Sequence, residues 1–295
     1  MSTITSRLAA APISWGVCEV PGWGHQLEAD RVLSEMTVLG ITATEFGPAG
    51  FLPEEAAARA EVLQQHKLQA IGGFFPIILH DAAKDPLKAV SAELDAYQAA
   101  GASIMVLAAE TGTAGYDQRH ELDADGWHLF GRNLDTIVKA AADQGIQAVV
   151  HPHVGTMIET TSDVNRVLND TVANLCLDTG HLLIGGTDPG QLARDYAART
   201  GHTHLKDVCK AVAQRVQNGE ISYTDGVRAG MYVPLGQGDA GIADIVRHLL
   251  KAGYGGWFTM EQDTILESVP AGDGPVVDVR QSVAFLRDLE AGLAQ

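Results

Sequence analysis

An alternation that runs from end to end most constrains the fold of this chain. Eight short runs have the length and composition of strands: RLAAAPIS (7–14), TATEFG (42–47), LQAIGGFF (68–75), SIMVLAA (103–109), IQAVVH (146–151), NLCLD (174–178), HTHLK (202–206) and GWFTME (256–261). Helical patterns lie between most of them. EADRVLSEMTVLG (28–40) has helically spaced apolar residues and stops at a glycine. PEEAAARAEVLQQHK (53–67) opens with Pro and two carboxylates, which suit a helix N-terminus. DPLKAVSAELDAYQAAG (85–101) and DPGQLARDYAARTG (188–201) run from Asp-Pro to Gly, and DADGWHLFGRNLDTIVKAAADQG (123–145) is longer.

Eight strands alternating with helices imply a parallel sheet. A chain of 295 residues is the size of an eightfold (β/α)8 TIM barrel with insertions. The competitor, an open doubly wound sheet, normally announces a glycine-rich turn after its first strand. SWGVCEVPGWGHQ (14–26) is no such fingerprint, and the glycines of LGQGDAG (235–241) are a weak signal. With no linker-like break in composition, residues 1–295 are expected to form one barrel domain. The longest irregular stretch, from about Val208 to Gly241, is expected to be a loop over one end.

Composition narrows the function. The net charge of −17 disfavours a nucleic-acid partner and fits action on small neutral or cationic molecules. No stretch reaches the length of a membrane span, and the N-terminal MSTITSRLAAAPISW lacks the long apolar run of a secretory signal. Cys18, Cys176 and Cys209 suggest neither a disulfide framework nor a thiolate zinc site, so the cytoplasm is the expected compartment. Homo-oligomerisation stays open.

In such barrels the chemistry gathers where strands run out into the following loops. Here the strand ends carry Trp15, Glu45, Glu110, His151 with His153, Asp178 with His181, His202 with His204 and Lys206, and Glu261 with Asp263. Five of the eleven histidines fall between 151 and 204. Buried imidazoles and carboxylates are costly unless paired or metal-bound. Imidazole nitrogen with carboxylate oxygen suits a divalent ion such as manganese, cobalt, zinc or iron. The period of two along a strand points His151 and His153 to the same side.

HPHVGT (151–156), CLDTGHLLIGG (176–186), HTHLKD (202–207), the run from Val233 to Asp263 and the opening APISWG…TATEFG together resemble the xylose-isomerase-like barrels. Within that superfamily the chain is most similar to the inosose dehydratases, and the resemblance covers nearly its whole length. It implies a divalent metal, manganese or cobalt before zinc or iron, held by His151, Asp178, His204 and Glu261. The commonest pattern in the superfamily has Glu at the fifth-strand position; His151 stands there instead, and His153 is the alternative ligand. That departure weakens symmetric isomerisation and leaves room for elimination.

The implied activity is dehydration of a keto-polyol, 2-keto-myo-inositol first. Glu261 or a neighbouring imidazole would remove the α-proton, and His153, titrating near neutrality, or Lys206 would assist the leaving hydroxyl. Glu45, His181 and Trp15 would contact substrate, although an ion pair of Lys206 with Glu45 or Asp207 is the ordinary structural outcome. The alternatives are a ketose isomerase or epimerase, a β-eliminating enzyme on 3-keto-glycosides, and a binding barrel without catalysis.

Overall fold

A computed structural model describes residues 3–113, 115–118 and 120–293; the ends of the expected 1–295 domain lie outside these. Eight parallel strands close into a barrel: β1 (Leu8–Ala10), β2 (Ala43–Glu45), β3 (Gln69–Ile77), β4 (Ile104–Ala109), β5 (Gln147–Val150), β6 (Asn174–Asp178), β7 (Thr200–Leu205) and β10 (Phe258–Met260). Each pairs with its neighbours in chain order, and β10 closes the ring between β7 and β1. All eight expected strands are present, each within a few residues of its expected span. The fold is a TIM barrel.

Helices pack outside, and local chemistry explains where they begin. The helix α3 (Pro86–Ala100) starts because the Asp85 carboxylate accepts from the amides of Leu87 and Lys88 at 3.0 and 3.4 Å. Pro86 supplies a fixed φ at its first position, and Gly101 at φ +75° ends it. On α10 (Ile242–Lys251), Ile242, Ile245, Val246 and Leu249 are buried at i, i+3, i+4 and i+7. Burying each such side chain stabilises by about 1.5–3 kcal/mol. The described helices also include α1 (Ala29–Val38), α2 (Ala56–Gln65), α4 (Ala124–Asp143), α5 (Thr161–Asp170), α6 (Thr179–Ile184), α7 (Pro189–Asp195) and the C-terminal α11 (Val276–Leu293). Among the described residues no helix is long and apolar enough to cross a membrane.

Strand alternation divides the barrel. Leu8, Met105, Leu107, Val150, Leu177, Leu205 and Phe258 join the large core shared with the helices. Ala9, Ala43, Ile71, Val106, Val149 and Cys176 form a separate buried cluster, as residues one step along each strand must when they point into the lumen. One further inward step beyond Ala43, Val149 and Cys176 brings Glu45, His151 and Asp178. The apolar plug therefore becomes the floor of a polar site.

The stretch 208–241 is not irregular, contrary to the sequence expectation. A two-stranded antiparallel pair, β8 (Asp207–Val208) with β9 (Tyr232–Val233), flanks two short helices, α8 (Lys210–Gln217) and α9 (Tyr223–Arg228). Together with Trp23, Val154 and Ile184 they build a second small core around Val208, Ala213, Tyr223, Val227 and Met231. Helices of 8 and 6 residues carry too few apolar positions for a period to stand out in the sequence.

The LGQGDAG loop after β9 wraps the buried Asp207 carboxylate. The amides of Val208, Gly236, Gly238 and Ala240 donate to it at 2.8–3.0 Å. A Cβ at Gly238 would lie 2.4 Å from Asp207 Oδ1, so only glycine allows this approach. The glycines thus serve an internal carboxylate. Asp207→Ala orphans four amides and is expected to lower unfolding free energy by about 3 kcal/mol or more; chemical denaturation measures it, and a loss under about 1 kcal/mol would refute this role.

Candidate active site

The site stands at the C-terminal end of the barrel. Asp178 ends β6 and divides its two oxygens. Oδ1 caps α6, accepting from the amides of Gly180 and His181 at 2.9 and 2.8 Å. Oδ2 lies 3.1 Å from His151 Nε2, 3.5 Å from His204 Nδ1 and 3.6 Å from Lys206 Nζ. His204 Nδ1 is in turn 2.5 Å from Glu261 Oε2. Candidate ligand atoms of His151, Asp178, His204 and Glu261 all fall within 4.8 Å of one another, so the structure brings the four expected ligands together.

The atoms left over suit a cation. His204 Nδ1 and Glu261 Oε2 face each other at 2.5 Å in the buried cluster, and neither makes a well-aligned hydrogen bond. An imidazole nitrogen turned toward a carboxylate oxygen at this separation is unfavourable in a dry interior unless a proton or a cation lies between them. Two carboxylates and two imidazoles fit a divalent ion that takes nitrogen and oxygen together.

Glu45 holds the cluster from below. Its Oε1 accepts from His202 Nε2 and His204 Nε2, both at 2.8 Å. The bond to His204 fixes the tautomer that turns Nδ1 toward the cluster, the arrangement carboxylates commonly impose on ligating histidines. A register shift at Thr44/Glu45 marks a local irregularity where β2 meets β3. Burial works against a charge on Glu45, but His204 and His202 outweigh it and hold the carboxyl well below the usual range.

Lys206, buried, faces the same side. Its Nζ donates to Asp263 Oδ1 at 2.7 Å and lies 3.4 Å from Glu261 Oε2. Burial opposes its charge, yet Asp178, Asp263 and Glu261 keep its pKa well above the ordinary value. Its partner is therefore Asp263, neither Glu45 nor Asp207. Asp263 Oδ2 also accepts from the Tyr223 hydroxyl at 2.6 Å, which ties the lid formed by β8–β9 to the site.

Three expectations change. His153 does not titrate near neutrality: burial, with His151 and Lys206 nearby, brings its pKa down to about 3. Its Nδ1 bonds the Val154 carbonyl at 2.6 Å, so the ring is neutral and offers Nε2 as an acceptor. His181 does not line the cavity; its Nε2 accepts from Lys206 Nζ at 3.1 Å, and its ring lies tilted by 33° against His153 with centroids 3.7 Å apart. Trp15 is fully buried away from the cavity, donating its indole N–H to Glu35 at 2.8 Å. Glu110 is exposed outside the cavity. The strand itself stops at Val150, so His153 reaches the cavity through the turn after Pro152 rather than by strand alternation.

A family model described as xylose isomerase-like TIM barrel matches residues 35–289. The chain belongs to this family. It is 30% identical over 270 residues to the inosose dehydratase of Geobacillus kaustophilus (strain HTA426), covering 87% of each chain. It is 30% identical over 272 residues to the rhizopine catabolism protein MocC of Rhizobium meliloti, covering 89% of this chain and 83% of that one. Among solved structures, L-ribulose 3-epimerase superposes with a TM-score of 0.69 over 97% of this chain and 95% of its own. The probable 3-DHS dehydratase AsbF from Bacillus anthracis does so at 0.64 over 95% and 98%. Identities of 14% and 12% make these likenesses of fold alone.

For this family member, sequence reasoning missed Tyr223, Tyr116 and Trp23, all in the cavity wall. Trp23 and Tyr116 lie on loops and Tyr223 at the start of α9, none of them at a strand end. In this xylose isomerase-like barrel Glu45→Gln is expected to weaken divalent-metal affinity about 10–100-fold, because the amide no longer favours one His204 tautomer. Metal titration reads this directly, and unchanged affinity would remove Glu45 from the support of the site.

Proposed function

We propose that the chain is a divalent-metal-dependent hydro-lyase that dehydrates a keto-polyol, with 2-keto-myo-inositol (inosose) the leading substrate. His151, Asp178, His204 and Glu261 would hold the ion, manganese or cobalt ahead of zinc or iron. Bound there, the ion supplies Lewis-acid stabilisation of the charge that develops on a ketone oxygen when its α-proton leaves.

The observation that carries the reading is a base and an acid standing side by side. Glu261 Oε2, a carboxylate oxygen 2.5 Å from His204 Nδ1, lies 3.4 Å from the Lys206 ammonium. Elimination needs one group to take the α-proton and another to protonate the neighbouring hydroxyl as it leaves. Glu261 takes the first proton at its carboxylate, and Lys206 delivers the second from Nζ, so water departs with no net proton gained or lost. The α-proton and the β-hydroxyl then leave from one face of the ring. Neutral His153 accepts a hydrogen bond at Nε2 from a substrate hydroxyl and orients the ring. Epimerisation calls for two opposed bases, and the position that would oppose Glu261 is occupied by the imidazole of His151. The inosose dehydratase of Geobacillus kaustophilus, 30% identical to this chain, supports the same choice.

The test is product mass. Manganese-loaded protein given inosose is expected to yield a product lighter by one water, with new ultraviolet absorbance from an enol or diketone. A ketohexose converted at unchanged mass, with inosose inert, would overturn the proposal.

A further inference from the structure

The cavity that contains the cluster has a volume of about 360 Å³ and continues past it. Phe74 stands at the passage, its ring centroid 6.0 Å from that of His151. Part of the cavity lining lies where the loop after β2 meets β3, α2 and α3: Phe46 and Leu52 from the loop, Phe75 from β3, Tyr97 from α3 and Arg59 from α2 wall a lobe there.

The lobe is chemically unlike the metal end. The polar side chains of Tyr97 and Arg59 are already engaged within the protein. The Tyr97 hydroxyl donates to the Gly73 carbonyl at 3.0 Å. Arg59 donates to the carbonyls of Pro53 and Glu54 at 3.1 and 3.4 Å, and its guanidinium lies over the Phe46 ring at 4.5 Å. The carboxylate-bearing residues on the lining here, Glu54 and Glu93, are exposed and half-buried, toward the outside. A polyol carries a hydroxyl on nearly every carbon, and in this lobe those hydroxyls would lose water without gaining partners. Phe74 and Phe75, by contrast, are only half-buried and leave apolar ring surface for a ligand to cover.

We propose that this lobe is a subsite for a flat apolar substituent, so that the site takes a keto-polyol bearing an aryl-like group as well as an unsubstituted ring. The polyol end of this inference rests on the function proposed above. The polyol sits against His153 and Lys206, and the substituent passes Phe74 to lie against Phe46, Phe75 and Leu52.

The experiment compares the phenyl and methyl glycosides of one 3-keto-hexose, titrated calorimetrically into manganese-loaded protein. The phenyl compound is expected to bind about tenfold tighter or more, as burial of a ring demands. Phe75→Ala should shrink that advantage to about twofold or less while methyl-glycoside affinity stays the same. Leu52→Phe, which fills the lobe from the other wall, should do likewise, and circular dichroism establishes that both variants are folded. Equal affinities in the wild type, no binding of either glycoside, or an advantage kept in both folded variants would overturn the proposal. Inosose dehydration assayed on the same samples separates the two readings. Dehydration without phenyl preference removes the subsite alone, whereas phenyl preference without dehydration of any keto-polyol removes the dehydratase reading alone.

Discussion

Asp178→Ala and His204→Ala are each expected to purify without a divalent ion and to lose about 10³-fold or more in kcat/KM, since Lewis-acid stabilisation is worth several kcal/mol. Each removes one of four candidate ligands whose atoms lie within 4.8 Å of one another. The two substitutions differ in their side effects. Asp178 Oδ1 also caps α6, so its loss costs helix stability of about 1 kcal/mol. His204→Ala leaves Glu45 Oε1 with only His202 as a partner. Asp178→Asn keeps cap geometry while weakening the ligand and guards against a folding artefact. Elemental analysis beside circular dichroism decides the matter. Full metal occupancy in folded Asp178→Ala and His204→Ala would remove the site.

Lys206→Met is expected to retain the ion and lose about 10²–10³-fold in kcat, because it removes the group proposed to protonate the leaving hydroxyl. Removing the ammonium takes positive charge from beside Asp178 and Glu261, so metal binding should hold or tighten. The same change strands Asp263, whose carboxyl burial already raises despite Lys206. A buried carboxylate without its partner is expected to cost about 3–5 kcal/mol of stability. Adding Asp263→Asn should recover most of that stability and none of the turnover. The double variant thereby separates the lysine's chemical role from its structural one. Turnover near that of the wild type in metal-loaded Lys206→Met would end the assignment of Lys206 as the acid.

The barrel was legible because its signal is repeated and local. Each strand run is bounded by turn residues, and every expected strand pairs in the closed ring. The polar strand ends were legible for the same reason, whereas the selection of His151, Asp178, His204 and Glu261 among them as candidate ligands came from the resemblance to the xylose-isomerase-like barrels. The lid was not legible, since its helices are short and its small core draws on Trp23 and Val154 from distant loops. Trp15 shows the opposite failure. Its position after the first strand suggested the cavity, but a hydrogen bond from its indole to Glu35 on α1 holds it in the core.

Residue type and periodicity by themselves determined the alternating elements, the barrel, and which side chains stand at the strand ends. These follow from the strand's period of two and the helix's period near 3.6, which are properties of neighbouring residues. What each polar group does was decided only by tertiary structure. Neutral His153, charged Lys206 and ionised Glu45 owe their states to burial and to partners as distant in sequence as Glu45 is from His204. Protonation responds to a field summed over groups brought together by folding, and that sum has no counterpart along the chain.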